Sequence, residues 1–154
     1  MIKIKPLIIS IAISLAVGIL SGFLTMGAMQ NYEVIQKPML SPAPIIFPIV
    51  WTILFVLMGI SAYRVYVYND TNDKNALWLY AVQLAVNFIW PFIFFNAQQY
   101  LIAFIWLIIL WILVLLMIIK FYKIDRISAY LQIPYIIWLT FAAYLNCGVY
   151  MLNM

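Results

Sequence analysis

Long apolar stretches make up most of the chain, and charged residues occur only between them. Four stretches of 26 to 45 residues contain no charge at all: 6–32, 38–63, 75–119 and 127–154. A helix needs about 20 consecutive, mostly apolar residues to cross a bilayer. The longest stretch holds two such segments, separated by a short polar turn at 96–99. The pattern therefore predicts five transmembrane helices, over residues 6–26, 44–68, 76–95, 100–119 and 127–151.

The composition narrows the class of protein. Of 154 residues, 69% are hydrophobic and 8% are charged, whereas a soluble domain has about 25% charged residues. This excludes a soluble enzyme, a disordered chain and a nucleic-acid-binding domain. The five spans use most of the chain, so we expect a single all-α membrane domain over 1–154. The first apolar stretch exceeds the 7–15 residues of a signal-peptide core, which favours a retained first helix.

The basic residues indicate how the chain is oriented. Seven of the eight lysines and arginines fall on one side of the predicted bundle, and only Lys37 falls on the other. Cytoplasmic loops carry an excess of Lys and Arg. We therefore expect a multi-pass protein of the cell membrane with a cytoplasmic N-terminus and an external C-terminus.

Span one has a pattern that predicts tight helix packing, and the connection that follows it has a length that predicts a lid. Small residues recur at every fourth position of span one, at Ser10, Ser14, Gly18 and Gly22, a spacing that lets a neighbouring helix approach closely. The connection from Gly27 to Ala43 is longer than the usual loop of about 4–6 residues. Its prolines favour a fixed shape, so we predict a lid over one end of the bundle.

Span three carries the polar residues that are most unusual for a membrane helix. Gln83 and Asn87 lie four positions apart, and Trp90 and Phe94 continue the same face. Polar groups inside a membrane usually face the bundle or a cavity. Two interpretations remain open: the amides hydrogen-bond neighbouring helices, or they contact a ligand beside the two aromatic rings.

Tryptophan placement suggests a binding pocket. Trp78 fits the interfacial belt that membrane proteins favour, but Trp51 lies about 10 Å into its span, at 1.5 Å per residue. Trp138 lies near the middle of span five, beyond Pro134. A cavity lined by Trp51, Trp90 and Trp138, with polar contacts at Asn87 and Asn146, suits a flat, conjugated ligand. The alternative is that these indoles fill the core.

Conventional catalytic and metal chemistry is excluded by residue type. The chain has no histidine, one cysteine and four acidic residues, so a Ser-His-Asp triad and a familiar transition-metal site are both excluded. We predict no metal site and no obligatory cofactor. Haem iron also lacks its usual histidine ligand in this chain.

Five blocks of sequence, in order along the chain, resemble the bacterial members of the TspO/MBR family of tryptophan-rich sensory proteins and translocator proteins. The blocks are Lys37-Pro38 with Pro42 and Phe47; Val50-Trp51-Thr52 with Leu57 to Tyr63; Gln83-Leu84-Ala85 with Asn87; Trp90-Pro91 with Ile93-Phe94-Phe95; and Pro134-Tyr135 with Trp138, Phe141-Ala142 and Leu145-Asn146.

The resemblance implies a five-helix bundle, often dimeric, with a pocket beneath the first loop. It implies binding of protoporphyrin IX and of benzodiazepine-type drugs, and in some bacterial members a light- and oxygen-dependent breakdown of the porphyrin. The two tryptophans implicated in that breakdown match Trp51 and Trp138. The implied pocket also includes Tyr32, Pro42, Asn87, Trp90, Ala142 and Leu145.

Some positions depart from the family pattern. Leu40 and Ala43 replace a Trp and a Pro of the lid, and Cys147 and Met151 replace residues of the sterol-recognition stretch of animal members. Sterol binding through that stretch is therefore not supported. Three functions remain open: a tetrapyrrole-binding sensor, a transporter of porphyrins or other apolar metabolites, and an interaction scaffold. Five spans without an internal repeat argue against the transporter.

Overall fold

The computed structural model describes residues 2–154, which form helices and no strands. A 3-10 turn at Met26–Ala28 joins the first two helices, and a π-helical turn at Phe92–Asn96 extends the fourth. The seven α-helices are α1 (Ile4–Thr25), α2 (Met29–Val34), α3 (Ile46–Tyr68), α4 (Lys74–Pro91), α5 (Tyr100–Ile124), α6 (Arg126–Leu131) and α7 (Ile133–Leu152).

Five membrane spans follow from these helices, as the sequence predicts. Their length and apolar composition suffice to cross a bilayer, and they comprise Ile4–Val34, Ile46–Tyr68, Lys74–Asn96, Tyr100–Ile124 and Arg126–Leu152. The chain is therefore an all-helical, multi-pass membrane protein. The fourth span is five residues longer at its C-terminal end than predicted. Helix α5 continues through Lys120 and Lys123, whose charged heads lie at its last turns.

The connection between spans one and two is shorter than the predicted loop of residues 27–43. Residues 26–34 are helical, and the irregular segment begins at Ile35 and ends at Ile45. The sequence contains no proline between Pro6 and Pro38, so nothing prevents the helix from continuing past Gly27. We call residues 35–45 the lid segment.

The fifth span consists of two helices rather than the single helix predicted over residues 127–151. Asp125 caps α6 by accepting a hydrogen bond from the Ser128 backbone N–H, and α6 ends at Leu131. Gln132, which is fully buried, forms the break. Pro134 occupies the first turn of α7, where its missing N–H costs nothing. The proline therefore lies in the first turn of a new helix.

The five spans form a closed ring. Span one packs against spans two and three, span three against span four, and span four against span five. The ring closes where α6 packs against α3. Helix α5 contributes a narrow buried stripe, and the remainder of its surface is exposed isoleucine and leucine that faces lipid.

Spans one and two make the closest backbone approach, through small residues. The Ser10 Oγ donates to the Gly59 carbonyl and the Ser14 Oγ to the Phe55 carbonyl, both at 2.7 Å. A Cβ at Gly59 would lie 2.5 Å from the Ile11 Cα, and one at Gly18 would meet the Phe55 ring. Three of the four recurring small residues thus form the predicted interface. Gly22 has open space beside it.

Ion pairs fasten the end of the bundle that carries the N-terminus. Within residues 2–154, Arg64 pairs with Asp125 at 2.8 Å and Lys120 with Asp73 at 3.2 Å. The Arg64 guanidinium, aided by hydrogen bonds from Ser128, lowers the pKa of Asp125 to about 2. A hydrogen bond from Lys120 likewise lowers the pKa of Asp73. The first pair ties span two to the start of span five.

Replacing Gly59 with alanine should destabilise the bundle. The added methyl group meets the α1 backbone, so α1 must move away and weaken the Ser10 and Ser14 hydrogen bonds. We expect a loss of about 1–3 kcal/mol, seen as a lower unfolding temperature in detergent. Gly22→Ala is the matched control and should change little, because nothing lies near that position. Equal stability of the two variants would contradict this packing.

Acid should weaken the ion-paired end of the bundle. The folded-state pKa of Asp125 lies below its unfolded value of about 3.9, so its contribution is complete above that value and is lost as the pH falls towards 2. We expect the unfolding temperature to drop between about pH 4 and pH 2. Asp125→Asn should be less stable at pH 7 and show a smaller drop, whereas Asp70→Asn, at an exposed position, should keep the wild-type profile.

Candidate functional site

Helix α6 packs against α3, but α7, which follows α6, makes little backbone contact with α3. Aromatic side chains span the space between α3 and α7. The Trp51 ring lies 6.2 Å from the Tyr135 ring, and the Phe47 ring lies 6.0 Å from the Trp138 ring, both edge to face. The lid segment runs directly into α3 at this end of the bundle. The two deep tryptophans predicted from sequence therefore line one interhelical space.

A second aromatic group adjoins the first through Phe47. The Tyr32 ring of α2 lies 6.0 Å from Phe47, 6.1 Å from Phe94 and 5.8 Å from Phe95. Trp90 stacks on Phe94 at 5.1 Å. An unbroken series of ring contacts therefore leads from Trp138 through Phe47 and Tyr32 to Trp90. Trp90 and Trp138 are thus connected through other rings, whereas the Trp51 ring contacts Phe55 and Tyr135 and lies outside this series.

The two amides of span three bond across the ring of spans to α7, which is not adjacent to α4. The Asn87 Nδ2 donates to the Tyr135 hydroxyl at 2.6 Å, and that hydroxyl donates to the Gln83 Oε1 at 2.8 Å. All three side chains are buried. Of the two interpretations left open by the sequence, the structure therefore favours helix–helix bonding. One Nδ2 hydrogen of Asn87 is used in this bond, so a ligand contact at Asn87 falls to its Oδ1 or to the second Nδ2 hydrogen.

The Asn146 side chain also forms hydrogen bonds within the bundle. Its Oδ1 accepts a hydrogen bond from the Trp90 indole at 3.2 Å, and its Nδ2 donates to the Tyr100 carbonyl at 2.8 Å. These bonds join spans three, four and five. Asn146 thus fixes the orientation of the Trp90 indole, and one donor and the acceptor of its amide are used within the bundle.

The Trp138 indole differs from the Asn87 and Asn146 amides. Its buried Nε1 has no hydrogen-bond partner among residues 2–154, as is also true of the Ser41 Oγ in the lid segment. A buried donor without a partner costs free energy comparable to a lost hydrogen bond. Trp138 therefore presents an available N–H next to the Phe47 and Phe141 rings.

The remaining predicted site residues occupy less central positions. Ala142 and Leu145 are buried on α7, and Pro42 is half-buried in the lid segment. A groove of about 460 Å³ lies on the outer face of α7, lined by Leu40, Ile137, Thr140, Phe141 and Tyr144. This groove does not include the three predicted indoles. Phe141 separates it from Trp138, because it contacts both.

Sequence reasoning missed Phe47 and Tyr135 as members of the site. Phe47 precedes Trp51 by four residues and Tyr135 precedes Trp138 by three, so each shares a helix face with its tryptophan. That spacing was available as a signal. The bond of the Tyr135 hydroxyl to both span-three amides depends on the ring order of the helices, which spacing does not reveal.

Comparison with known proteins agrees with this architecture. Residues 10–152 match the model of the TspO/MBR family. The chain is 34% identical to the tryptophan-rich protein TspO of Chlorobaculum tepidum over 98% of each chain. It is 37% identical to protein CrtK of Rhodobacter capsulatus over 79% of this chain and 78% of the relative. The translocator protein of Sus scrofa is 33% identical over 77% of this chain and 72% of its own.

The fold and these similarities define a five-span integral membrane protein of the sensor and translocator class. The chain belongs to the TspO/MBR family.

Removing the Tyr135 hydroxyl should destabilise the protein without emptying the aromatic site. In Tyr135→Phe the ring stays, but the Gln83 and Asn87 amides lose their shared partner in an apolar setting. We expect a loss of about 1–2 kcal/mol in detergent. Tyr144→Phe, on an exposed face of the same helix, should be close to wild type. If Tyr135→Phe proves equally stable, the hydroxyl does not hold α4 to α7.

Proposed function

We propose that this protein is a membrane sensor that binds a tetrapyrrole such as protoporphyrin IX between α3 and α7. The observation that supports this most directly is the buried, unpartnered Trp138 N–H among aromatic rings at the lid segment. Aromatic rings favour offset or edge-on contact with another π-system. A flat conjugated ligand therefore offers both the apolar surface and the ring geometry that Trp51, Phe47 and Trp138 can use.

The polar contact restricts the ligand further. The Asn87 and Asn146 amides already bond within the bundle, whereas the Trp138 indole can donate one hydrogen bond. An indole N–H is a donor only, so the ligand must bring an acceptor. The carboxylates and ring nitrogens of a metal-free porphyrin meet this requirement. The carbonyl oxygen of a benzodiazepine-type drug also meets it, and we propose that such drugs compete for the same space.

The orientation proposed from the basic residues places this site at the external half of the membrane. Lys3, Lys5 and the four residues of the two ion pairs lie at the opposite end of the bundle. Cytoplasmic ends are rich in Lys and Arg. We infer that the N-terminus faces the cytoplasm and that the lid segment and the C-terminus face outward.

Removing the Trp138 N–H should weaken the binding of protoporphyrin IX, because one hydrogen bond is lost while the aromatic surface remains. We expect protoporphyrin IX to quench tryptophan fluorescence of the purified protein in a saturable way. Trp138→Phe, which keeps an aromatic ring but has no N–H, should bind about tenfold more weakly. Trp78→Phe is the control, because Trp78 is 69% exposed at the other end of α4. Unsaturable quenching of the wild type, or equal affinity of both variants, would rule the proposed site out.

We further propose that illumination of the bound porphyrin in air leads to its breakdown, with dioxygen as the oxidant. Trp51 and Trp138 are the indoles beside the proposed ligand, and indoles are readily oxidised. In the Trp51→Phe/Trp138→Phe double variant, loss of porphyrin absorbance under light should be much slower at equal occupancy. Samples kept dark, or free of oxygen, should lose none. Equal loss in the double variant and the wild type would show that these indoles take no part.

A further inference from the structure

The lid segment is fastened to the C-terminal end of α7 at two places. One is a pair of hydrogen bonds between Gln36 and Asn153, which are 117 positions apart in the chain. The other is a close contact between Pro38 and Gly148. Both contacts join span five to the connection between spans one and two.

The Asn153 carboxamide pairs with both backbone groups of a single residue. The Gln36 N–H donates to its Oδ1 at 3.0 Å, and its Nδ2 donates to the Gln36 carbonyl at 2.8 Å. The same Nδ2 donates to the Val149 carbonyl at 2.8 Å, which fixes the side chain on its own helix. An amide has the donor and the acceptor that this pairing needs. The contact therefore holds Gln36 in one register relative to α7.

Gly148 permits the second contact. A Cβ at this position would lie 2.7 Å from the Pro38 Cγ and 2.8 Å from its Cβ. The proline ring thus rests directly on the α7 backbone, one turn before the Asn153 bonds. Towards α2, the Lys37 ammonium lies 4.8 Å from the centre of the Tyr32 ring and donates to the Glu33 carbonyl. The lid segment is therefore anchored on both sides of the aromatic series.

The lid segment leads into Phe47, a ring that a ligand must displace in order to reach Trp138. Phe47 follows the lid segment by two residues and contacts both Tyr32 and Trp138. A ligand that reaches Trp138 has to separate Phe47 from that ring, and Phe47 moves most readily when the lid segment moves. Release of the lid segment from α7 is thus the step that opens this route.

We propose that Asn153 is a positioning residue that holds the lid segment against α7 and sets the rate of ligand exchange. The inference rests on the proposed binding site. Asn153 does not contact the aromatic series itself, so its removal affects opening rather than recognition. Association and dissociation should both accelerate, and the affinity should change little, because a closed state that hinders entry also hinders exit.

Asn153→Ala tests the kinetic part of the inference. Stopped-flow quenching with protoporphyrin IX should show association and dissociation rates about tenfold faster than in the wild type, with a change in Kd of less than threefold. Gly148→Ala, which pushes Pro38 away by a different contact, should act in the same direction. Unchanged rates in Asn153→Ala, or a loss of affinity without faster association, would overturn the proposal.

The matched control lies at the opposite end of the bundle. Asn69 also pairs its side-chain amide with both backbone groups of one residue, Asp73, in the loop between α3 and α4. Asn69→Ala removes the same kind of contact far from the lid segment and should leave both rates unchanged. If Asn69→Ala accelerates exchange as much as Asn153→Ala does, general loosening of the bundle explains the effect and the proposal is wrong.

A second measurement needs no ligand. Backbone hydrogen exchange of residues 35–45, followed by mass spectrometry in detergent, should become faster in Asn153→Ala and stay unchanged in Asn69→Ala. Unchanged exchange in Asn153→Ala would refute the holding role of Asn153, whatever the protein binds. Absence of porphyrin binding by the wild type would instead refute the proposed site, while exchange of residues 35–45 still decides whether Asn153 holds the segment.

Discussion

The constraint on which this structure depends is that a polar group inside a bilayer must find its partner within the protein. The hydroxyls of Ser10 and Ser14 bond to carbonyls of α3, and the Tyr135 hydroxyl serves both amides of span three. Each of these bonds joins two different spans. The few polar side chains therefore join particular spans, adjacent or across the ring, and the abundant apolar residues supply contact area without choosing between partners.

The same constraint makes its exceptions informative. Five buried side-chain atoms in residues 2–154 have no hydrogen-bond partner: the Ser41 Oγ, the Tyr80 hydroxyl, both amide atoms of Gln132 and the Trp138 Nε1. Of these, the Trp138 N–H lies where α3 and α7 make little backbone contact and aromatic rings fill the space between them. Edge-on and offset ring contacts are similar in energy. Polar bonding thus dominates the frame of the bundle, and aromatic packing dominates the candidate site.

Apolar length and charge placement were enough to predict the five spans, because both respond to the bilayer itself. The helical continuation through residues 26–34 and the break at Gln132 were not predicted, since Gly27 tolerates a helix and Pro134 fits both a kink and a helix start. Trp51 and Trp138 were selected as candidate site residues by their depth, and their role in a site stays a prediction. The partners of Asn87 and Asn146 depend on the ring order of the spans, and contacts between residues far apart in sequence, such as Gln36 with Asn153, leave no periodic signal.

The break at Gln132 lies beside the ion-paired end and divides span five into α6 and the longer α7. Trp138 is about 9 Å from this break and Asn153 about 30 Å, at 1.5 Å per residue. If α7 turned as a rigid rod about the break by about 10°, Trp138 would move by about 1.6 Å and Asn153 by about 5 Å. A ligand at the proposed site that turned α7 in this way would therefore cause a larger displacement at the far end of the helix, where the lid segment is attached, than at the site itself.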